Sequence, residues 1–356
     1  MNLQAKGLLL HCRGGFEGEV ASEAAQAVAE AGNSGFARAK ADTAFLRFEL
    51  YAPQDWRELL AARPFPDWVF ARERYAWIDR IENLPQQDRA GVIATQLAAM
   101  GLAAGRVSCE FADTNEAKEM SGFLRRFTPH LEKALQKVGV LRAQATLPTL
   151  HLFFESSEAC DIGLSAAGDS SPWPMGVPRL RMPRGAPSRS TLKLAEAFYA
   201  LMSEAEREKG LRAGLRAVDL GACPGGWTLQ FAQRGIHVQS VDNGPMAEAV
   251  LETGMVEHVR ADGFTWRPKK PVDWMVCDMV EQPARVARLM ADWVASRSCR
   301  RTIFNLKLPM KKRFDEINRC REIIDKALTE QGLSYTLRMK HLYHDREEIT
   351  AYLALG

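Results

Sequence analysis

A glycine-rich turn between a short apolar segment and a helix restricts this sequence more than any other feature. The turn lies within residues 218–227, which read VDLGACPGGW. The valine and leucine before it favour a strand, and glycine lets the backbone turn tightly and approach a ligand closely. The helix that begins near Trp227 would offer free N–H groups at its start. A strand, a tight turn and a helix in this order indicate an α/β domain.

The rest of the C-terminal half alternates apolar strands with helices. We predict strands at 217–220, 237–242, 256–261, 272–277 and 302–308, and helices at 192–208 and 314–331. Two final strands, at 334–341 and 349–355, are close enough in the chain to pair antiparallel. The pattern predicts a doubly wound, Rossmann-like sheet that ends in an antiparallel hairpin.

The N-terminal half mixes strands and helices in short units, which is typical of an α+β fold. It is followed by residues 166–189, where repeated prolines and glycines interrupt regular structure and predict a linker. The net charge of the chain is only +3, so local clusters of charge say more about partners than the sum does. The linker holds one such cluster, at Arg179, Arg181, Arg184 and Arg189, which would suit contact with RNA.

The composition excludes several protein classes. A chain of 356 residues is long for one core and indicates two or three domains. No apolar run approaches the roughly 20 residues of a membrane helix, and the N-terminus makes a poor secretory signal, so we expect a cytoplasmic protein without membrane contact. Its seven cysteines are scattered without a C-x-x-C pair, so we expect neither a metal site nor a redox dithiol.

The turn differs from the two common phosphate-binding loops. It is not G-x-G-x-x-G, and no lysine follows its glycines as in a P-loop. It resembles the S-adenosylmethionine loop of class I methyltransferases, which holds the methionine end of that cofactor. The resemblance implies that the cofactor contacts this turn and the residue at the end of the linker: Ser190, Asp219, Gly221, Cys223, Pro224, Gly225, Gly226 and Trp227.

Three aspartates end successive strands of the predicted sheet. Asp242 follows the second strand, where a carboxylate can accept both ribose hydroxyls of a bound nucleoside, as in dinucleotide folds. Asp262 ends the third strand, where the adenine amino group would lie. Asp278 ends the fourth strand and would face the centre of methyl transfer. Because the carboxyl ends of parallel strands share one edge, we expect the three acids to form one constellation with the turn.

The end of the fourth strand does not match two other classes of methyltransferase. Base N-methyltransferases typically carry N/D-P-P-Y/F at this point, whereas residues 278–281 read DMVE. Cytosine C5-methyltransferases need a nucleophilic cysteine. Cys277 directly precedes Asp278, so its side chain points to the opposite face of the strand and is expected to be a core thiol.

Two lysines and a late acid point to a different acceptor. Lys193 lies on the helix before the turn, Lys307 ends the fifth strand and Glu348 opens the last strand. With Asp278 they resemble the Lys-Asp-Lys-Glu tetrad of ribose 2′-O-methyltransferases related to the bacterial heat-shock rRNA methyltransferase. The resemblance favours Glu348 by register and leaves Glu347 open. A lysine acts as a general base only with a depressed pKa, so we expect Lys193 to depress the pKa of Lys307, the proposed base.

A closer resemblance covers nearly the whole chain. Residues 12–17 (CRGGFE), 219–227, 305–312 and 343–348 (YHDREE) are similar to the bacterial large-subunit rRNA cytidine 2′-O-ribose methyltransferases of family M. The resemblance implies a ferredoxin-like segment at 1–52, a THUMP RNA-binding domain at 53–165, the linker at 166–189 and a methyltransferase domain at 190–356. It also implies methylation of a cytidine of 23S rRNA, either naked or in the immature large subunit. We expect the protein to be a monomer.

Two other functions stay open at this point. One is an RNA base methyltransferase with the same cofactor, which would leave no alkali-resistant dinucleotides in the modified RNA. The other is a non-enzymatic RNA-binding assembly factor with a vestigial cofactor fold, which would bind RNA but no S-adenosylmethionine.

Overall fold

The computed structural model describes residues 3–356, and the chain divides into two units between Val177 and Pro178. The division falls within the linker predicted at 166–189. Each unit is built on a seven-stranded sheet of its own. No helix among residues 3–356 is long and apolar enough to cross a membrane.

The first unit alternates short strands and helices along the chain. Its elements are β1 (Gln4–His11), α1 (Glu17–Glu30), β2 (Gly35–Ala39), β3 (Phe45–Asp55), α2 (Trp56–Ala61), β4 (Glu73–Ile81), α3 (Arg89–Ala99), β5 (Arg106–Glu110), α4 (Lys118–Lys137), β6 (Thr149–Ser156) and β7 (Ala159–Ser165). The strand order is β2-β3-β1-β4-β7-β6-β5. The first four strands pair antiparallel in the βαββαβ order of a ferredoxin-like fold.

The structure corrects the boundary predicted at residue 52, which falls inside β3. Apolar alternation in the sequence stops at Leu50, but the backbone pairing continues, with Gln54 opposite Ala5 and Asp55 opposite Gln4. β4 then completes the ferredoxin-like order and also pairs with β7. The two predicted N-terminal segments therefore share one continuous sheet.

A buried polar network joins the strands of this sheet. Glu110 of β5 lies between two histidines, with Oε2 3.0 Å from His11 Nε2 of β1 and Oε1 3.0 Å from His151 Nδ1 of β6. His151 also reaches Ser165 Oγ of β7 at 2.8 Å, and Tyr75 of β4 lies 3.2 Å from His11. Burial raises the pKa of Glu110, but the two histidines lower it by more, so its pKa lies below the ordinary value.

The second unit has the predicted α/β pattern. Its elements are α5 (Thr191–Ala200), α6 (Glu204–Gly210), β8 (Arg216–Leu220), α7 (Gly226–Ala232), β9 (His237–Val241), α8 (Glu248–Leu251), β10 (Val256–Val259), β11 (Val272–Cys277), α9 (Pro283–Ala295), β12 (Cys299–Lys307), α10 (Arg313–Thr329), β13 (Tyr335–Lys340) and β14 (Glu348–Leu355). The strand order is β10-β9-β8-β11-β12-β14-β13. Five parallel strands are followed by β14, which pairs antiparallel with β12, and by β13, which pairs antiparallel with β14. This confirms the Rossmann-like sheet with its terminal hairpin.

The core of the second unit surrounds Trp274 of β11. Phe231, Phe198 and Tyr352 pack around its ring, and its indole N–H donates to the carbonyl of Gly210 at 2.6 Å. The single helix predicted at 192–208 is in fact two helices, α5 and α6. The helix breaks because Ser203 begins a new one: its hydroxyl accepts from the Glu206 N–H while the Glu206 carboxylate accepts from the Ser203 N–H.

Candidate active site

Four charged side chains meet at one edge of the second sheet. Asp278 directly follows β11, Lys307 ends β12 and Glu348 begins β14, while Lys193 lies in the first turn of α5. The three strands are neighbours, and Lys307 is the register partner of Glu348. The carboxyl ends of β11 and β12 and the amino end of β14 therefore coincide, because β14 runs antiparallel to β12.

The four side chains form a ring in which opposite charges alternate. Lys307 Nζ lies 2.7 Å from Asp278 Oδ1 and 3.7 Å from Glu348 Oε2. Lys193 Nζ lies 2.5 Å from Glu348 Oε1 and 3.9 Å from Asp278 Oδ2. Each lysine thus faces both carboxylates, and all four side chains are largely shielded from solvent. We call this group the tetrad.

Only one of the two late glutamates faces the tetrad. The side chain of Glu348 is 10% exposed, whereas that of Glu347 is 62% exposed and pairs with Arg313 at 2.7 Å. Adjacent residues of a strand point to opposite faces, so one of the two had to point away. The structure brings Glu348 to the lysines and leaves Glu347 at the surface.

The electrostatics of the tetrad differ from the expectation. Burial lowers the pKa of Lys307, but the carboxylates of Asp278 and Glu348 raise it by more, so its pKa lies above the ordinary lysine value. Burial raises the pKa of Glu348, and the two lysines outweigh it, so that pKa is lowered. The predicted depression of the Lys307 pKa by Lys193 is wrong for the free enzyme, because the nearest charges to Lys307 are carboxylates.

A buried polar pair supports the tetrad from within the sheet. Asn305 of β12 donates to Asp278 Oδ1 at 2.7 Å and accepts at 2.7 Å from the hydroxyl of Thr350 on β14. That hydroxyl also lies 3.0 Å from a carboxylate oxygen of Asp345. Sequence reasoning assigned no role to these side chains. Asn305 stands inside the otherwise apolar run Ile303–Leu306, and a buried amide needs hydrogen-bond partners. This feature of the sequence could have indicated its role.

The predicted cofactor turn lies beside the tetrad, between β8 and α7. Gly221 and Gly225 adopt positive φ angles of 74° and 108°, a region that favours glycine. A Cβ on Gly226 would lie 2.7 Å from Ser190 Oγ, so the start of α5 approaches the turn closely. Trp227 is buried and donates its indole N–H to the Ser190 carbonyl at 3.0 Å. Trp227 therefore fastens α5 to α7 and does not line an open site.

The predicted acids occupy different positions around the turn. Asp242 is half-buried and accepts from the N–H groups of Cys223 and Gly244 at 3.0 and 2.8 Å. Asp262 is exposed and accepts from the Phe264 N–H at 2.9 Å. Both carboxylates keep lone pairs for hydroxyl or amino donors, which suits a nucleoside.

Asp219 lies inside the fold, near the carboxyl end of β8. It is fully buried and accepts from the Thr228 hydroxyl at 2.7 Å, and burial raises its pKa to about 7. Its side chain therefore holds α7 against β8, and a role for it in cofactor binding stays a prediction. Of the other residues predicted in the turn, Cys223 is half-buried with Sγ 3.1 Å from the Gly244 carbonyl, and Pro224 is exposed.

Met279 is a further neighbour of the turn that the sequence did not indicate. A Cβ on Gly221 would lie 2.5 Å from Met279 Cγ, and one on Gly263 would lie 3.1 Å from its sulfur. The Met279 side chain thus spans from the end of β8 to the loop after β10. It gives the predicted cofactor site an apolar wall between the two glycines.

Comparisons with known proteins identify the family of this chain. The model of the RlmM ferredoxin-like domain matches residues 5–75, that of the ribosomal RNA large subunit methyltransferase M N-terminal region matches 88–166, and that of the FtsJ-like methyltransferase matches 186–328. The ribosomal RNA large subunit methyltransferase M of Aromatoleum aromaticum is 54% identical over 100% of this chain and 96% of its own length. This chain belongs to that family.

A second relative agrees with this family. The family member from Methylococcus capsulatus is 46% identical over 98% of each chain. An alignment with the solved structure of TrmN from Thermus thermophilus covers 98% of this chain and 99% of that one, at 14% identity and a TM-score of 0.36. The resemblance to family M, the methyltransferase class and the S-adenosylmethionine cofactor are confirmed by the family. The THUMP assignment stays a prediction.

Proposed function

We propose that this enzyme transfers the methyl group of S-adenosylmethionine to the ribose 2′-hydroxyl of a cytidine in 23S rRNA. The alternating ring of Lys193, Glu348, Lys307 and Asp278 is the observation that supports the 2′-hydroxyl as acceptor. A hydroxyl is a weak acid, so its attack on a methyl group needs a base and a nearby positive charge. A ring with two amines and two carboxylates can supply both.

In this proposal Lys307 is the general base. It first releases its own proton to solvent, and the neutral Nζ then accepts the proton of the 2′-hydroxyl. Asp278, 2.7 Å from Nζ, orients the amine, and Asn305 in turn holds the Asp278 carboxylate. When bound, S-adenosylmethionine supplies an activated methyl group on a cationic sulfonium. Lys193, held 2.5 Å from Glu348, places positive charge beside the oxygen as negative charge develops on it.

The family supports the proposed substrate. Its members are named for the large ribosomal subunit, and we propose naked 23S rRNA or the immature large subunit as the substrate. We also propose that the enzyme acts in the cytoplasm as a monomer. A molar mass of 39.7 kDa for the purified protein from sedimentation equilibrium would support the monomer, and a mass twice as large would contradict it.

The acceptor is tested by Lys307→Ala and a matched control, Lys209→Ala, on the exposed part of α6. We expect Lys307→Ala to lower kcat by about 100-fold or more while leaving S-adenosylmethionine affinity unchanged, since general base catalysis contributes about that much. Alkali-resistant dinucleotides in RNA modified by the wild type mark ribose methylation. Full activity of Lys307→Ala, or methylated bases in place of resistant dinucleotides, would overturn the proposal.

A further inference from the structure

Two apolar side chains beside the tetrad are unusually exposed. Val280 is 88% and Met310 is 93% exposed, the highest values for large hydrophobic residues within the described range 3–356. Isolated exposed apolar residues are common on protein surfaces, and several others occur here at lower exposure. The position of these two is the informative feature, because both lie at the same edge of the second sheet.

Each exposed residue closely follows a member of the tetrad. Val280 comes two residues after Asp278, and Met310 comes three residues after Lys307. The parent strands β11 and β12 pair in parallel up to Cys277 and Phe304, and the two tetrad side chains touch at 2.7 Å. The two segments that carry the exposed residues therefore begin side by side.

The segment after β11 distributes its side chains in three directions. Asp278 reaches the lysines, Met279 lies against the positions of Gly221 and Gly263, and Val280 extends into solvent. The segment after β12 likewise places Met310 in solvent, followed by the exposed cations Lys311 and Lys312. Apolar surface at the mouth of a site, with cations next to it, suits a nucleotide whose base is apolar on its faces and whose phosphates are anionic.

We infer that Val280 and Met310 hold the base of the target nucleoside, unstacked from its neighbours in the RNA, by apolar contact with its faces. The inference rests on the proposed function, because a ribose whose 2′-hydroxyl reaches Lys307 brings its own base to this same edge. Enzymes that act on single nucleotides commonly grip an extruded base between apolar side chains, and methionine is among the residues that proteins insert between bases. Lys311 and Lys312 then contact the flanking phosphates.

The test uses the full-length enzyme with Val280→Asn and Met310→Gln, which keep side-chain size and remove apolar character. We expect each to raise KM for rRNA or lower kcat/KM about tenfold, the scale of one buried apolar side-chain contact. Val280→Ile and Met310→Leu retain the contact and should keep near wild-type values. Leu251→Gln alters another exposed apolar residue of the second unit and should have no effect. S-adenosylmethionine affinity and melting temperature should not change in any variant.

A second readout separates this inference from the proposed function. A fluorescent cytidine analogue at the target position should brighten when wild-type enzyme binds the RNA, since unstacking relieves quenching. Val280→Asn and Met310→Gln should bind with much less brightening. If both polar variants methylate and brighten the RNA as the wild type does, the base-holding role is refuted while 2′-O-methylation stands. If the wild type itself forms no 2′-O-methyl product, the proposed function has failed.

Discussion

The two carboxylates next to Lys307 determine the direction in which the pKa of its ammonium group is shifted. Asp278 and Glu348 raise the pKa of the ammonium group, so in the free enzyme the base form is scarce at neutral pH. An amine with a raised pKa loses its proton at a higher pH than an ordinary lysine does. The rate of a reaction that needs neutral Lys307 should therefore climb with pH across the neutral and alkaline range.

The first prediction concerns that pH profile. In Glu348→Gln the pKa of Lys307 should fall, because one of the two carboxylates that raise it is gone, and the rise in kcat/KM should move to lower pH. Glu347→Gln changes a neighbouring glutamate that is 62% exposed and faces away, so its profile should match the wild type. Single-turnover methylation of rRNA between pH 6 and 10 measures both. Identical profiles for Glu348→Gln and the wild type would contradict the assignment of Lys307 as the base.

The second prediction concerns Asn305, which acts on the reaction only through Asp278. Asn305→Leu keeps the volume but removes a donor to Asp278 and leaves the Thr350 hydroxyl without its acceptor in Asn305. Thr350 keeps Asp345 as an acceptor, so the change in the site is the loss of one hydrogen bond to the charged Asp278. Such a bond is worth about 1.5–3 kcal/mol, and because it positions the carboxylate that orients Lys307, we expect kcat to fall about 10- to 150-fold.

The controls for Asn305 distinguish positioning from loss of folding. Thr302→Val alters another buried polar residue of β12, whose hydroxyl contacts only methionine sulfur, and should leave kcat unchanged. Because Asp278 sits between Asn305 and Lys307, Asn305→Leu should also shift the pH profile of kcat, which a general loss of stability would not do. An unchanged kcat and profile would remove Asn305 from the mechanism.

At the residue scale, the sequence predicted the charged members of the site better than the neutral ones. The four tetrad residues stand in motifs whose resemblance to a known family is specific. Asn305 and Met279 carry no such signal in isolation, because their roles depend on contacts between strands that only the folded chain defines. The inward position of Trp227 and Asp219 was missed for the same reason.

At the scale of elements, the close approach of α5 to the cofactor turn positions Lys193. A Cβ on Gly226 would lie 2.7 Å from both Ser188 Oγ and Ser190 Oγ, so a larger residue must displace these hydroxyls just before α5. Gly226→Ala should destabilise the fold by about 1–3 kcal/mol, as overpacking does, and weaken S-adenosylmethionine binding. Titration calorimetry and thermal unfolding measure the two effects.

The matched control for this prediction is Gly18→Ala in α1. A Cβ there would meet no atom within 4 Å, so alanine should be neutral or stabilising by up to about 1 kcal/mol through helix propensity. Wild-type cofactor affinity in Gly226→Ala would show that the approach of α5 to the turn does not shape the site.

Most helices and strands of the second unit could be predicted from the sequence. The wrong predictions concern element ends that depend on a helix cap or on pairing with a distant strand. The parallel strands could be predicted because apolar runs alternate with helices along the chain. Ser203 and Glu206 have the spacing of a capping box, which indicates a new helix start between α5 and α6. The helical periodicity on both sides of Ser203 instead favoured one continuous helix. The extension of β3 to Asp55 was not readable, because its polar end is fixed by pairing with β1.

For the molecule as a whole, we expect the two units that meet between Val177 and Pro178 in the chain to have different functions, RNA binding and methyl transfer. The second unit contains the complete tetrad and cofactor turn. We expect residues 178–356 alone to bind S-adenosylmethionine as the full chain does but to show a KM for rRNA more than about tenfold higher, because phosphate contacts supply much of the affinity for RNA. Filter binding and steady-state kinetics test this. An unchanged KM would place RNA binding in the second unit.

The buried network of the first unit predicts how the protein responds to acid. The pKa of Glu110 is lowered in the folded state, and so is that of His151, for which burial is the main cause. Groups with lowered pKa values stabilise the fold above their ordinary pKa values and lose that contribution as the pH falls. Amide exchange in β1 and β6 should therefore accelerate as the pH falls from 7 through the ordinary histidine range of about 6.5 towards 4, after correction for intrinsic rates.

The control for acid sensitivity is a variant in which the histidine cannot titrate. His151→Gln should show a weaker dependence of exchange on pH between 7 and 5 than the wild type. Glu82→Gln, at an exposed residue after β4, should behave as the wild type does. Equal pH dependence in His151→Gln and the wild type would show that the network is not the acid-sensitive element.

The most direct test of 2′-O-methylation uses rRNA from cells that lack this gene. The rRNA is incubated with the purified enzyme and methyl-labelled S-adenosylmethionine, digested to nucleosides and analysed by mass spectrometry. We predict label in 2′-O-methylcytidine from 23S rRNA, lost in Lys307→Ala and kept in Lys209→Ala. Label on a base, or label that persists in Lys307→Ala, would contradict the role assigned to the tetrad.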